Sequence, residues 1–205
     1  MDLIPKIMRE LTTRALLDAY MRGAFPMVER GRLLWFSPAY RGLLPLDERF
    51  HVPRRLARTV RSGRFVCTVD RRFPEVMGLC AARREGGTWI SPEMRAVYGL
   101  LHAGGVAHSV EAWPAEAVGA GEPAGGLYGL AIGGAFFAES MFHRVTDAGK
   151  VALVALVERL RGRGFVLCDV QWTTPHLRRF GAFDLPRDEY LRLLSGALEQ
   201  KCQFV

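Results

Sequence analysis

A carboxylate and an amide lie two positions apart in an otherwise apolar stretch, GFVLCDVQW at residues 164–172. If this stretch is a strand, alternation places Asp169 and Gln171 on one face, roughly 7 Å apart, where they can flank one small reacting group. Aspartate is depleted in strands, and a buried carboxylate is costly unless it is hydrogen-bonded or paired. Two interpretations stay open: Asp169 serves chemistry, or a backbone amide or an arginine satisfies it locally.

A second carboxylate, Glu139, follows the apolar run AIGGAFFA and precedes Ser140. The GxSxG pattern of serine hydrolases is missing here, and His143 would reach Ser140 only through a special turn, so a covalent serine mechanism is disfavoured. A carboxylate at an apolar wall pairs strongly with a desolvated cation. Glu139 is therefore a candidate binder of a substrate ammonium or guanidinium group.

Apolar and aromatic residues supply candidates for a pocket and for stacking. Spacing alone makes most of them core, although a subset can line a pocket in which a flexible methionine adapts to several ligands. Aromatic side chains can also stack on a nucleobase, worth ~1–3 kcal/mol per base. The pocket candidates are Leu127, Phe136, Phe137, Met141, Phe142, Leu156 and Leu160, and the stacking candidates are Trp35, Phe36, Trp89 and Trp113.

The chain is basic, with a formal charge of +7 and an isoelectric point near 9.7 over 205 residues. Such a charge favours nucleic acid or another polyanion as a partner. Arginines concentrate in HVPRRLARTVRSGRF at residues 51–65. On a helix they form a basic stripe, which is either a solvated face or a phosphate-binding face.

Composition also excludes several classes. The uncharged stretch at residues 124–138 is too short and too rich in glycine for a membrane helix of ~20 residues, and the charged N-terminus does not resemble a signal peptide. The cysteines, at positions 67, 80, 168 and 202, show no CxxC spacing. We therefore expect a cytoplasmic protein without membrane association, disulfides, bound metal or cofactor.

The elements that must position these residues alternate between helix and strand. Helices are predicted at 12–23, 53–62 and 73–85. Two further helices are predicted to begin after Ser91, which would be the N-cap with Pro92 following it, and after Thr146 or Asp147. Strands are predicted at 64–70, 107–113, within 125–142 and at 165–171. The last strand–helix–strand segment is a βαβ unit. The sequence therefore predicts an α+β fold with a mixed sheet, divided into a small N-terminal domain at 1–62 and a main domain at 63–205.

Long stretches of the chain resemble one known family, the bacterial leucyl/phenylalanyl-tRNA–protein transferases. The stretches occur in family order and cover most of residues 15–195. They are AYMRGAFPM (19–27), LLWFSPAYRGLLPLD (33–47), GGTWISPEMRAVYGLLHAGGVAHSVEAW (86–113), GGLYGLAIGGAFFAESMFHRVTDAGKVALVAL (125–156) and CDVQWTTPHLRRFGAFDLPRDEYLRLL (168–194).

The resemblance implies a fold and a reaction. The fold would be a small N-terminal domain followed by a domain like the GNAT acetyltransferases, with a partly antiparallel mixed sheet flanked by helices. The reaction would move leucine or phenylalanine, with methionine as a further candidate, from aminoacyl-tRNA to the N-terminal α-amine of a protein that begins with Lys or Arg. The product would carry a degradation signal, and no cofactor would be needed.

The resemblance also implies roles for particular residues. Gln171 would contact the attacking α-amine, Asp169 would polarise or orient it, and either Asp169 or Glu139 would attract the cationic acceptor. The aminoacyl pocket would be formed by Leu127, Phe136, Met141, Leu156, Leu160 and Cys168. Phe36, which stands where a tryptophan is usual, and Trp89 would lie near the terminal adenosine. The tRNA phosphates would meet Arg54, Arg55, Arg58 and Arg61.

Two rival functions are weighed against this one. An acyl-CoA N-acetyltransferase of the same fold would bind pyrophosphate through a glycine-rich loop at a helix start. The nearest segments, RREGGT and RGRGFV, both fail the final small position of that loop. A non-catalytic RNA-binding module would use the basic stripe and the aromatic residues, but it would leave Asp169, Gln171 and Glu139 without a role.

Overall fold

A mixed β-sheet forms the centre of the computed structural model, which describes residues 11–29, 31–82 and 88–205. Within these ranges the sheet has seven strands in the order β4-β5-β6-β7-β8-β3-β9, and β1 and β2 form a separate hairpin. The strands are β1 (Phe25–Glu29), β2 (Arg32–Phe36), β3 (Tyr40–Leu43), β4 (Phe65–Val69), β5 (Ala107–Pro114), β6 (Gly125–Ile132), β7 (Ala135–His143), β8 (Leu167–Gln171) and β9 (Phe183–Pro186).

The helices pack on both sides of this sheet. They are α1 (Thr13–Met21), α2 (Arg54–Arg61), α3 (Phe73–Ala81), α4 (Pro92–Ala103), α5 (Ala148–Gly162), α6 (Pro175–Arg178) and α7 (Arg187–Leu198). Ser91 caps α4 as predicted, because its Oγ accepts a hydrogen bond from the Met94 amide at 3.2 Å. The segment from α6 to α7 had no predicted elements.

Strand pairing confirms the predicted α+β class and its mixed sheet. Strands β4 to β7 pair antiparallel in succession, and β7 pairs parallel with β8. A parallel pair needs a long crossover, which α5 provides, so the predicted βαβ unit is confirmed. Strand β3 then pairs antiparallel with both β8 and β9.

Two hydrophobic clusters occupy opposite faces of the sheet. Adjacent residues of β7 show this division, since Phe137 belongs to the cluster beneath α1, α3, α4 and α7, whereas Phe136 belongs to the cluster beneath α5. The inward positions predicted for α5 are all buried: Val151, Val154, Leu156, Val157 and Leu160. The sheet is therefore covered on both faces, and its polar positions need internal partners.

The N-terminal part of the chain contributes directly to this architecture. Strand β3, at residues 40–43, lies inside the main sheet, while α1 and the β1–β2 hairpin pack into the first hydrophobic cluster. A domain boundary near residue 62 stays a prediction. The N-terminal segment through residue 10 and most of the first glycine-rich candidate loop, RREGGT, lie outside the described residues.

Within the described ranges, no helix combines the length and the apolar character needed to cross a bilayer. Among the same residues, no group of three or more His, Cys, Asp or Glu side chains is arranged to hold a metal ion.

Candidate active site

Asp169 is held by a set of donors that surrounds its carboxylate. Arg41 Nε donates to both carboxylate oxygens at 2.9 Å, and its Nη2 lies 2.8 Å from Oδ2. The Tyr190 hydroxyl donates to Oδ2 at 2.6 Å, and the backbone N–H of Gln171 donates to Oδ1 at 2.8 Å. Asp169 is 0% exposed. Of the two interpretations left open by the sequence, local satisfaction by an arginine and a backbone amide describes this geometry.

Arg41 connects Asp169 to distant parts of the chain. Its Nη1 donates to the Gly23 carbonyl at 2.9 Å, and its guanidinium lies 4.5 Å from the Phe25 ring centroid and 4.7 Å from that of Tyr190. Burial by itself would lower the pKa of Arg41. The Asp169 carboxylate has the opposite effect, and overall the pKa of Arg41 is raised above its ordinary value. The cation therefore stays charged and paired, and it ties β3 and β8 to the turn after α1 and to α7.

Glu139 has a different set of partners, which are hydroxyls and an amide. Its Oε1 accepts from the Tyr20 hydroxyl at 2.6 Å and from Gln171 Nε2 at 3.0 Å. Its Oε2 accepts from the Tyr98 hydroxyl at 3.2 Å, and the two hydroxyl oxygens are 2.8 Å apart. Register explains the link to Gln171: Phe137 lies opposite Asp169, which brings the following residues Glu139 and Gln171 together.

Electrostatics follow from these partners. Burial raises the pKa of Glu139 to about 7; the hydroxyls of Tyr20 and Tyr98 oppose this rise, and the nearby Asp169 carboxylate adds to it. Burial and the neighbouring Glu139 also raise the pKa of both tyrosines well above the usual value. The hydroxyls therefore stay protonated while Glu139 exchanges its proton near neutral pH.

Gln171 adopts an unusual backbone conformation at the end of β8. Its φ is +59°, in the left-handed region that costs a non-glycine residue of order 1–3 kcal/mol. Asp169 supports this conformation because its carboxylate accepts a hydrogen bond from the backbone N–H of Gln171. Gly42 faces the turn that follows, where a Cβ would lie 2.7 Å from backbone atoms of Trp172 and Thr173. Asp169 and Gly42 thus fix the direction of the Gln171 side chain.

A cavity of about 370 Å³ opens beside Glu139 and Gln171. Its volume lies in the range of small-molecule sites. Its wall is mainly apolar and includes Leu127, Met141, Leu153, Val170, Trp89, Trp172 and Leu177. The arrangement places one carboxylate and one amide at the edge of an apolar chamber, which suits a ligand that has an apolar side chain and a polar reacting end.

The predicted site residues divide into three groups. Those that line the cavity are Gln171, Glu139, Leu127, Met141 and Trp89. Those that are buried without lining it are Asp169, Phe136, Leu156, Leu160, Cys168 and Phe36, all 2% exposed or less. Phe36 packs against Phe25 and Trp172, with ring centroids 6.1 and 6.2 Å away. The roles implied for all of these residues stay predictions.

The third group consists of the arginines of α2, which are exposed: Arg54, Arg55, Arg58 and Arg61. Positive charge also lies near the cavity wall at His176. Burial lowers the pKa of His176, and the charges of Lys150 and Arg179 lower it further. Cationic side chains therefore lie within electrostatic range of this part of the cavity wall, which favours a polyanionic ligand.

Four residues of the site were missed by the sequence analysis: Tyr20, Tyr98, Arg41 and Tyr190. Tyr20 and Tyr98 lie on helices 119 and 41 positions from Glu139, and Arg41 lies 128 positions from Asp169. Local spacing carries no information on such contacts. The available signal was that tyrosines on inward helix faces need hydrogen-bond partners when buried.

Comparison with known proteins defines the class. The sequence model described as leucyl/phenylalanyl-tRNA protein transferase matches residues 43–195, and the model of that family's N-terminal domain matches residues 9–39. The chain therefore belongs to the leucyl/phenylalanyl-tRNA protein transferase family, a family of aminoacyltransferases. This confirms the resemblance found in the sequence and the presence of a small N-terminal domain.

Three curated relatives share the name leucyl/phenylalanyl-tRNA–protein transferase. The protein of Herpetosiphon aurantiacus is 50% identical over 196 residues, which cover 96% of this chain and 99% of the relative. That of Akkermansia muciniphila is 47% identical, covering 93% and 98%. That of Nitrobacter winogradskyi is 51% identical, covering 95% and 86%.

Proposed function

We propose that this protein transfers leucine or phenylalanine from aminoacyl-tRNA to the N-terminal α-amine of proteins that begin with Lys or Arg. The observation that carries the proposal is the apolar cavity of about 370 Å³ that ends at the Glu139 carboxylate and the Gln171 amide. Family membership and the names of the relatives support the choice of aminoacyl-tRNA as donor. Methionine, an unbranched apolar side chain, is a further candidate donor.

The donor side chain would occupy the apolar part of the cavity. Leu127, Met141 and Leu177 contribute to that wall, and Met141 can adapt its shape to a branched or an aromatic side chain. The ester carbonyl would then lie toward Gln171. Because aminoacyl-tRNA is already an activated ester, the protein mainly needs to hold carbonyl and amine together, which explains why no metal or cofactor enters the proposal.

The acceptor would approach the polar end of the cavity. Gln171 Nε2 is engaged with Glu139, while its carbonyl oxygen can accept from an amine and orient it. Asp169 acts as a positioning residue, since it holds the Gln171 backbone and does not line the cavity. An acceptor beginning with Lys or Arg is a cation at two places, and the Glu139 carboxylate is the anion that meets it.

The tRNA would lie on the side of the cavity near the cationic side chains. Trp89 lines the cavity and offers a ring for the terminal adenosine, and the exposed arginines of α2 would meet phosphates. The supply of aminoacyl-tRNA would place the protein in the cytoplasm. Lysines and arginines that neutralise phosphates make binding depend on salt.

The test of the proposed function is a transfer assay. Purified protein is incubated with labelled Leu-tRNA or Phe-tRNA and a peptide beginning with Arg, without CoA or ATP, and label is followed into the peptide. Transfer should vanish when the peptide N-terminus is acetylated, because the α-amine is then blocked. Absence of transfer with both donors and with Lys and Arg acceptors would refute the proposal, and acetyl-CoA would then be tested as donor.

The basic helix has a separate test. The variant Arg58→Ala should lower the slope of log K against log[salt] for tRNA binding by about 0.7–0.9, the contribution of one phosphate contact. The matched control is Arg192→Ala, which removes an exposed arginine of α7. Equal slopes for Arg58→Ala and the unaltered protein would show that this arginine does not meet a phosphate.

A further inference from the structure

We propose that Glu139 is the proton acceptor of the reaction, taking a proton from the α-ammonium group of the incoming protein. This inference rests on the proposed function and assigns its proton transfer to a residue that the sequence indicated only as a cation binder. The family resemblance implies instead that Asp169, the other carboxylate, polarises or orients the attacking amine. The contacts of the two carboxylates separate their roles.

Asp169 is unavailable for proton transfer. Both of its oxygens accept hydrogen bonds from Arg41, and each accepts from one further donor, Tyr190 or the Gln171 amide. The residue has no exposed surface and does not line the cavity. A proton on Asp169 would also leave the buried Arg41 cation without its counter-charge, which is strongly unfavourable.

Glu139 meets the requirements that Asp169 fails. It lines the cavity beside Gln171, the residue proposed to orient the acceptor amine, and its Oε1 accepts from the Gln171 side chain at 3.0 Å. An amine placed against the Gln171 amide is therefore also next to the Glu139 carboxylate. A general base needs this proximity before its pKa matters.

The hydroxyl network around Glu139 has room for one additional proton. Three contacts form a closed ring: Tyr20 hydroxyl to Oε1 at 2.6 Å, Tyr98 hydroxyl to Oε2 at 3.2 Å, and hydroxyl to hydroxyl at 2.8 Å. Two tyrosines supply only two hydroxyl protons for these three contacts. When Glu139 is protonated, its own O–H supplies the third, so the ring satisfies the neutral carboxyl group fully.

The charged and titratable groups that face Glu139 come from four elements. Tyr20 of α1 and Tyr98 of α4 donate to it, Asp169 of β8 disfavours its charge, and Arg41 of β3 favours it. With burial as the largest influence, the pKa of Glu139 is raised to about 7. The α-amine of a free peptide has a pKa of ~7.7–8.0, so proton transfer between the two groups is nearly balanced.

The proposed step conserves atoms and charge. The acceptor ammonium gives one proton to Glu139 and becomes a neutral amine. The amine nitrogen then forms a bond to the ester carbonyl carbon, the carbon–oxygen bond to the tRNA ribose breaks, and the nitrogen's second proton goes to the leaving ribose oxygen. Glu139 afterwards releases its proton to water. The products are the extended protein and deacylated tRNA.

The experiment compares Glu139→Gln with the unaltered protein in single-turnover transfer from preformed enzyme–Leu-tRNA complex to saturating Arg-initiated peptide, between pH 5.5 and about 8.5. Deacylation without acceptor is measured at each pH and subtracted. Glutamine keeps the shape of the side chain and can still accept from Tyr20. The matched control is Glu158→Gln, the same change at an exposed position of α5. Melting temperature and Leu-tRNA affinity are measured to verify folding.

We expect the rate of the unaltered protein and of Glu158→Gln to rise with pH through an inflection near 7, as Glu139 loses its proton. In Glu139→Gln the rate at pH 7 should fall about tenfold, because only about a tenth of an α-amine with a pKa of ~8 is neutral at that pH, and the difference should shrink toward pH 8.5. Its inflection should move to about 8, where the free α-amine ionises.

Other results would overturn the inference in distinguishable ways. The comparison is repeated at varied peptide concentration: a higher half-saturating concentration in Glu139→Gln, with the saturated rate and the inflection near 7 retained, would show that Glu139 only binds the acceptor cation. A Glu139→Gln protein that keeps both rate and inflection would exclude any proton transfer through this residue. Absence of transfer by the unaltered protein would refute the proposed function itself.

Discussion

Asp169 and Glu139 are carboxylates on neighbouring strands of one sheet, but their surroundings differ in kind. Asp169 is enclosed by a guanidinium, a phenol and a backbone amide and has no exposed surface. Among the described residues, the hydrogen-bond donors to Glu139 are all neutral groups, and Glu139 borders the cavity. The difference lies in whether a cation is among the partners. Asp169, which is paired with Arg41, holds the backbone of β8 in place, whereas Glu139, which has neutral partners, can gain and lose a proton.

The largest expected effect on stability comes from removing Arg41, the cation that is paired with Asp169. The variant Arg41→Met leaves Asp169 buried without its counter-charge, so the free energy of unfolding should fall by about 3–5 kcal/mol at pH 7. Urea unfolding followed by circular dichroism measures this. The control Arg22→Ala removes an exposed arginine after α1 and should change stability by less than about 0.5 kcal/mol. Similar values for both variants would contradict the comparison.

A smaller effect is expected from Glu139, which should make the free energy of unfolding depend on pH. The pKa of Glu139 is raised to about 7 in the folded protein, above its ordinary value of 4.5, so the folded state binds the proton more tightly than the unfolded state. Its contribution to stability is complete below about pH 4.5 and is lost as pH rises through about 7. The size is on the order of 3 kcal/mol, since one unit of pKa corresponds to about 1.4 kcal/mol.

The measurement is the difference in unfolding free energy between Glu139→Gln and the unaltered protein at several pH values. Groups other than Glu139 cancel in this difference. Glu139→Gln should therefore gain relative stability as pH rises from 5 to 7.5. A difference that stays constant across this range would mean that Glu139 titrates alike in the folded and unfolded states.

The smallest effect is the contrast between two phenol deletions. Tyr190→Phe removes a 2.6 Å hydrogen bond to a charged carboxylate without solvent contact and should cost about 1.5–3 kcal/mol. Tyr98→Phe removes a 3.2 Å hydrogen bond to Glu139, a carboxylate whose pKa of about 7 leaves it only partly charged, together with a 2.8 Å contact to the Tyr20 hydroxyl, and it should cost about 0.5–1.5 kcal/mol. The two variants control each other because the chemical change is identical. A larger loss of stability in Tyr98→Phe than in Tyr190→Phe would contradict the conclusion that Asp169 is the charged carboxylate and Glu139 the titrating one.

The fold was largely predictable because its determinants are local. Inward positions of α5, the Ser91 cap and the βαβ unit follow from apolar periodicity and capping chemistry. The segment from α6 to α7 was not assigned from the sequence. Strand β9 has only four residues, too few for an alternating pattern to identify a strand. Helix α7 has twelve residues and buries Tyr190, Leu194 and Ala197 at helical spacing, so the sequence carried a signal for it that was not used.

The site was only partly predictable. The sequence indicated Glu139 and Gln171, and alternation predicted that Asp169 and Gln171 share a face. The left-handed conformation of Gln171 and its contact with Glu139 depend on the strand's end and on a neighbouring strand, which alternation does not describe. Arg41 and Tyr190 reach Asp169 across 128 and 21 positions, so only the folded chain identifies them as its partners.

The contacts of Arg41 have a consequence for biosynthesis. They join Gly23 and Phe25 near the beginning of the chain to Asp169 and to Tyr190 on α7. A nascent chain therefore lacks one donor to Asp169 until residue 190 has left the ribosome exit tunnel. A protein that uses aminoacyl-tRNA as a substrate therefore depends on aminoacyl-tRNA for its own site, which cannot be assembled before the ribosome has added Tyr190.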